Sequence, residues 1–122
     1  MLLLDTDFQK IFNELEVLLP RDWEKLVAYF EYGEASYLFY FYVLQGGKYI
    51  KCYDLLNASE DSIADIFREI DKILFKAQKN QGWSNLTMVV DKEGNMHSDF
   101  DYSDLSEGAY EYHKEWKKKY LG

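Results

Sequence analysis

Apolar residues return every three or four positions at Phe8, Ile11, Phe12, Leu15, Leu18 and Leu19, the spacing of one helix face. The pattern predicts a first helix from about Thr6 to Leu19. Thr6 followed by Gln9 has the form of a capping box. Pro20 ends the helix, because it disfavours helical geometry at the residue before it. The period then changes. Over Lys25–Tyr32, Leu26, Ala28, Phe30 and Tyr32 alternate with Val27, Tyr29 and Glu31, as in a strand. Tyr37–Leu44 is aromatic on both faces, which suits a central strand, and Lys48–Tyr53 alternates again. Gly33-Glu34 and Gly46-Gly47 read as tight turns between these runs, which implies an antiparallel meander.

The helical period is clearest from about Glu60 to Lys79. Ile63, Ile66, Phe67, Ile70, Ile73, Leu74 and Ala77 form one stripe. Ser59 is placed to cap its start and Gly82 punctuates its end. A hairpin follows, with strands Asn85–Asp91 and Met96–Tyr102 around the turn Glu93-Gly94-Asn95. A last helix, about Ser106 to Tyr120, sets Ala109, Tyr112, His113, Trp116 and Tyr120 on one side. The predicted order is α-β-β-β-α-β-β-α. It describes a single α+β domain over residues 1–122, with an antiparallel sheet of about five strands and helices packed mainly on one face. The second face is expected to stay open and to carry Tyr29, Tyr49, Lys51, Tyr53, Thr87, His97, Asp99 and Asp101.

Composition sharpens this picture. Of 122 residues 48% are hydrophobic and 18% aromatic, enough for a real core and too many for a disordered chain. The apolar start Met1-Leu2-Leu3-Leu4 stops at Asp5 and lacks the basic flank and length of a signal peptide. No apolar run approaches the roughly 20 residues of a membrane helix. A single cysteine, Cys52, makes no internal disulfide, which fits a reducing compartment. The expected location is the cytoplasm, with no membrane association. The net charge of −8 disfavours direct binding of nucleic acid and complements a basic protein. The acids concentrate late, at Asp91, Glu93, Asp99, Asp101, Asp104, Glu107 and Glu111. Lys114, Lys117, Lys118 and Lys119 then reverse the sign, as suits a helix C-terminus.

Familiar catalytic signatures are missing. The chain has no Gly-rich phosphate loop, no nucleophile elbow and no Cys/His set at metal-ligand spacing. His97 and His113 stand on different elements without a partner nucleophile. One constellation carries possible chemistry. Asp99 and Asp101 share a strand face roughly 7 Å apart, with Asp104 just beyond. Such a group is compatible with a solvent-facing strand end in which Asp104 or Ser106 caps the last helix. It is also compatible with contacts to arginines and lysines of a protein partner and, behind these, with oxygen ligation of Mg²⁺ or Ca²⁺. The eleven tyrosines either fill a half-buried sheet or supply interface anchors.

Four segments read together in order: Pro20-x-x-Trp23-x-Lys25, Trp83-Ser84-Asn85-Leu86-Thr87, Asp99-Phe100-Asp101-Tyr102, and Trp116-Lys117-Lys118-Lys119-Tyr120-Leu121-Gly122. With the long amphipathic helix among them, nearly the whole chain resembles the YezG-like antitoxin family of Gram-positive bacteria. Tyr32–Asn57 carries no matching signature, and partner specificity has room to vary there. The resemblance implies a small cytoplasmic immunity protein that neutralises the nuclease domain of a polymorphic toxin exported by type VII secretion. It implies a basic nuclease toxin as partner, with neither enzyme activity nor a cofactor of the chain's own. The expected partner-binding residues are Tyr29, Tyr49, Tyr53, Asp99, Asp101 and Asp104, with no catalytic or metal-ligating residue. Two other functions compete. One is a divalent-metal-dependent hydrolase using Asp99, Asp101 and Asp104, and the other is a housekeeping adaptor.

Overall fold

In the computed structural model, which describes residues 3 and 5–122, the chain forms three α-helices and one five-stranded antiparallel sheet. Met1, Leu2 and Leu4, part of the apolar start read above, lie outside the described residues. The order is α1 (Asp5–Glu16), β1 (Lys25–Tyr32), β2 (Tyr37–Gln45), β3 (Lys48–Lys51), α2 (Glu60–Gln81), β4 (Asn85–Asp91), β5 (Met96–Asp101) and α3 (Tyr110–Leu121). Across the sheet the strands run β3-β2-β1-β4-β5. The predicted α+β order and the meander of the first three strands are both present. No helix among the described residues is long and apolar enough to cross a membrane.

Local chemistry accounts for most of the boundaries. Gly46 and Gly47 both have positive φ (58° and 78°). That is the two-residue turn whose twist matches a hairpin, and it pairs Gln45 with Lys48. Ser59 and Ser62 form a reciprocal capping box at the start of α2. Gly82, in the left-handed region, closes its end by donating to the Gln78 carbonyl at 2.8 Å. Asp91 holds the β4–β5 turn by accepting from the backbone N–H groups of Glu93 and Asn95, each at 3.0 Å.

Several boundaries differ from expectation, among them the end of α1 at Glu16 rather than Leu19 and of β5 at Asp101 rather than Tyr102. Helix α1 begins at Asp5, so Thr6 sits inside the first turn, and Gln9 donates to Asn13 instead of closing a box. Strand β3 stops at Lys51, because the chain turns through a 3₁₀ segment, Cys52–Asp54, that sends Cys52 into the core. Helix α3 starts at Tyr110, not near Ser106. The chain before it is held in a turn by Asp104, which accepts from both the backbone N–H (2.9 Å) and the hydroxyl (2.6 Å) of Ser106.

Strand β1 is the centre of the molecule, paired with β2 on one side and β4 on the other. The pairing places Leu26, Ala28 and Phe30 on one face with Phe39, Phe41 and Val43 of β2 and Leu86, Met88 and Val90 of β4. Helices α1 and α2 cover this face. The Phe67 ring stands edge-on to Phe39 and Phe41, and Phe8 meets Phe100. The opposite face is covered as well. Helix α3 lies on it and drives Trp116, 4% exposed, onto Tyr29, Tyr40 and Tyr42 with ring centroids 5.1, 5.5 and 6.2 Å away. The expectation of an open second face is therefore corrected: two helices pack on one side and the third closes much of the other.

The Trp116 indole also donates to Thr87 Oγ1 at 2.9 Å. Trp116→Ala removes the apolar anchor of α3 and leaves Thr87 without that donor. The expected cost is about 3–5 kcal/mol of unfolding free energy, measured by urea denaturation. An unchanged midpoint and slope would contradict this account of how α3 is held.

Candidate partner-binding surface

Two cross-strand rows organise the face beneath α3. Tyr40, Tyr29, Thr87 and Asp99 are successive partners across β2, β1, β4 and β5, and Leu38, Glu31, Asn85 and Asp101 form the next row. Helix α3 reads both rows with polar tips. Tyr120 donates to Asp99 Oδ2 at 2.6 Å, and Tyr112 donates to Asp101 Oδ2 at 2.7 Å, with Asn85 Oδ1 also 3.0 Å from its hydroxyl. His113 Nε2 lies 2.7 Å from Glu31 Oε1, the same oxygen that accepts from Tyr29 at 2.6 Å. Tyr112, His113, Trp116 and Tyr120 sit at i, i+1, i+4 and i+8, so one helix face presents all four. Polar groups taken out of water must be paired. Among the described residues no buried side-chain nitrogen or oxygen lacks a partner.

The electrostatics follow this geometry. The Tyr120 hydroxyl, and to a lesser degree neighbouring His97, hold the Asp99 carboxyl below its ordinary range. Asp101 is lowered first by the Ser103 hydroxyl and then by Tyr112. The phenols move the other way. Burial, followed by the Asp99 carboxylate, pushes Tyr120 up to about 12. Burial, then Glu31, raises Tyr29. Each phenol thus stays a donor and each aspartate an acceptor around neutral pH.

The six residues expected to bind a partner do not share one surface. Tyr29 is fully buried beneath Trp116, which withdraws it from any direct contact. Asp99 and Asp101 do lie together, but as half-buried acceptors for α3. Asp101→Lys would therefore loosen α3 as well as reverse a charge. Tyr49, half-buried, is in β3 and Tyr53, exposed, follows it. β3 and β5 are opposite edges of the sheet, roughly 19 Å apart at four strand spacings. Asp104 is exposed, in its own turn with Ser106. Among the described residues, no group of three His, Cys, Asp or Glu is placed to hold an ion.

Away from α3, an open cleft of about 730 Å³ lies at the end of the sheet where β1 leaves and β4 enters. Its walls come from the β1–β2 turn, the C-terminus of α2, the Trp83-Ser84 entry to β4 and the loop after β5. This place is not legible in the sequence because its three stretches, 31–34, 78–84 and 102–106, are far apart in the chain.

The tyrosine–aspartate contacts make a direct test. Tyr120→Phe should raise the Asp99 pKa towards about 3.9, the ordinary aspartate value, and leave Asp101 where Ser103 holds it. Carboxyl ¹³C shifts followed through an acid titration report both groups. The linked stability has a definite sign. Because both folded-state values are lowered, their contribution is present above about pH 4 and is lost as pH falls through the lowered values. An Asp99 titration unaffected by Tyr120→Phe would contradict the latch.

Comparison with known proteins bears on the whole chain. The profile of the family described as "Immunity protein YezG-like" matches residues 4–122. Two proteins named Immunity protein YezG are similar to it. That of Bacillus spizizenii (strain ATCC 23059 / NRRL B-14472 / W23) is 29% identical over 109 residues, covering 80% of this chain and 68% of the relative. That of Bacillus subtilis (strain 168) is 26% identical over 129 aligned positions, covering 94% of this chain and 85% of the relative. The match takes in the sheet, all three helices and the tyrosine-bearing α3 alike, and the chain belongs to the YezG-like immunity protein family.

Proposed function

We propose that this protein is an antitoxin that protects the cell making it by binding a toxin through protein–protein contact. The observation that carries this reading is the match of residues 4–122 to the immunity family. In finer detail, the proposed partner is a basic nuclease domain of a toxin exported by the type VII route of a Gram-positive bacterium. Inhibition is by occupation, without turnover and without a cofactor, and takes place in the cytoplasm before export. The free thiol of buried Cys52 accords with a reducing compartment. The charge of −8 favours steered capture of a basic enzyme, and exposed aromatic rings favour slow release.

Co-expression tests the reading. Cells given the cognate toxin domain should die without the protein and grow with it, and the two chains should co-purify. Absence of both protection and complex would end the proposal. The kinetics provide an independent measurement. Between about 50 and 500 mM salt the association rate should fall roughly tenfold or more, while dissociation changes much less. An association rate indifferent to salt would leave the charge a matter of solubility.

A further inference from the structure

The cleft at the end of the sheet differs from the rest of the surface in two respects. The first is charge. Glu31, Glu34 and Asp104 line it, and no lysine or arginine does. Glu34 is exposed and makes no hydrogen bond or ion pair among the described residues. The second is apolar exposure. The Tyr102 ring is 63% exposed and packs against no other ring, while Tyr32 and Trp83 supply the inner wall. The cleft continues, past the shared residues Tyr32, Gly33, Glu34 and Gln78, into a second depression of about 580 Å³ whose rim carries the exposed rings of Tyr37 and Phe75. The result is a groove with aromatic walls and a carboxylate rim.

Resting on the reading that the partner is a protein, the geometry points to this groove as the place where the chain takes an arginine side chain of that partner, stacked on Tyr102 and bonded by Glu34 and Asp104. Charge selects a cation. The combination of a ring face with carboxylates selects a guanidinium over an ammonium, because a planar, weakly hydrated group stacks on an aromatic ring and bonds carboxylates in its own plane. The groove owes nothing to α3's latch: Asp99 and Asp101 are engaged there, whereas Glu34 faces solvent with its capacity unused. The neighbouring depression, with Tyr37 and Phe75, accommodates apolar residues flanking the arginine. Lys79 beside Phe75 sets the cationic limit of the site.

The test uses the full chain and a defined probe, acetyl-Gly-Arg-Gly-amide, with acetyl-Gly-Lys-Gly-amide alongside it at low salt. Amide shifts in a ¹H–¹⁵N titration should cluster at Gly33-Glu34, Trp83-Ser84 and Tyr102–Ser106, with the arginine peptide several-fold tighter than the lysine peptide. The double variant Glu34→Gln, Asp104→Asn keeps side-chain size and the carbonyl oxygen that Ser106 needs. Its spectrum should stay that of the folded protein while arginine affinity drops about tenfold, and its complex with the toxin should weaken in parallel. Shifts scattered over the whole acidic surface, or an affinity untouched by the double variant, would overturn the assignment. So would a double variant that holds the toxin as tightly as the wild type, although wild-type protection would then leave the immunity reading standing. Wild-type protein that fails to protect would remove that reading, whatever the peptide does.

Discussion

Five consecutive residues of β1, Leu26 to Phe30, keep no solvent exposure, and the rest of the structure answers to that burial. A strand inaccessible from both sides needs a layer on each face of its sheet. Helices α1 and α2 provide one layer with the aliphatic and phenylalanine stripe expected of a core. The other layer is a single twelve-residue helix whose only fully buried side chain is Trp116. Tyr112, Tyr120 and Leu121 add apolar packing, and Tyr112, His113 and Tyr120 add polar adhesion on carboxylates of the sheet.

This arrangement explains why the acids of β5 are tolerated on a covered face. A carboxylate turned towards a helix costs free energy unless donors meet it. Asp99 and Asp101 are each met by a tyrosine from α3, and Glu31 by Tyr29 and His113. The pairing works both ways, since the phenols would be equally costly to leave unbonded. The acidic strand and the tyrosine-rich helix are therefore one structural device, although they resemble two separate binding features in the sequence.

The consequence for function is a division of surfaces. Charge on the α3 side serves the fold. Charge at the sheet's end, on Glu34 and on the Asp104 Oδ2 that the Ser106 turn does not use, faces solvent next to exposed rings. An immunity protein needs both fast capture and slow release, which long-range charge and buried aromatic anchors supply respectively. In the proposed arginine site, the end groove combines both within one concavity.

The sequence by itself determined the elements and their order, because each is set by local physics. The Ile63–Ala77 stripe demands a helix, Ser59 starts it and Gly82 ends it. Gly46-Gly47 demands a hairpin, and the alternation in Lys25–Tyr32 demands a strand. The four spaced segments from Pro20 to Gly122 were also enough to place the family. Tertiary structure alone decided where α3 lies. Tyr29 alternates with buried neighbours in the way a solvent-facing tyrosine would, and nothing local says that Trp116, 87 residues later, will cover it. The same holds for Asp99 and Asp101, whose spacing is identical on an open face and under a helix. Alternation reports that two faces differ and leaves open what covers each. Non-local packing supplies that answer: it gave Tyr29, Asp99 and Asp101 structural tasks and set Tyr49 and Tyr53 at the opposite edge of the sheet. The groove between Glu34, Trp83 and Tyr102 was likewise invisible until the chain ends of three strands and a helix met.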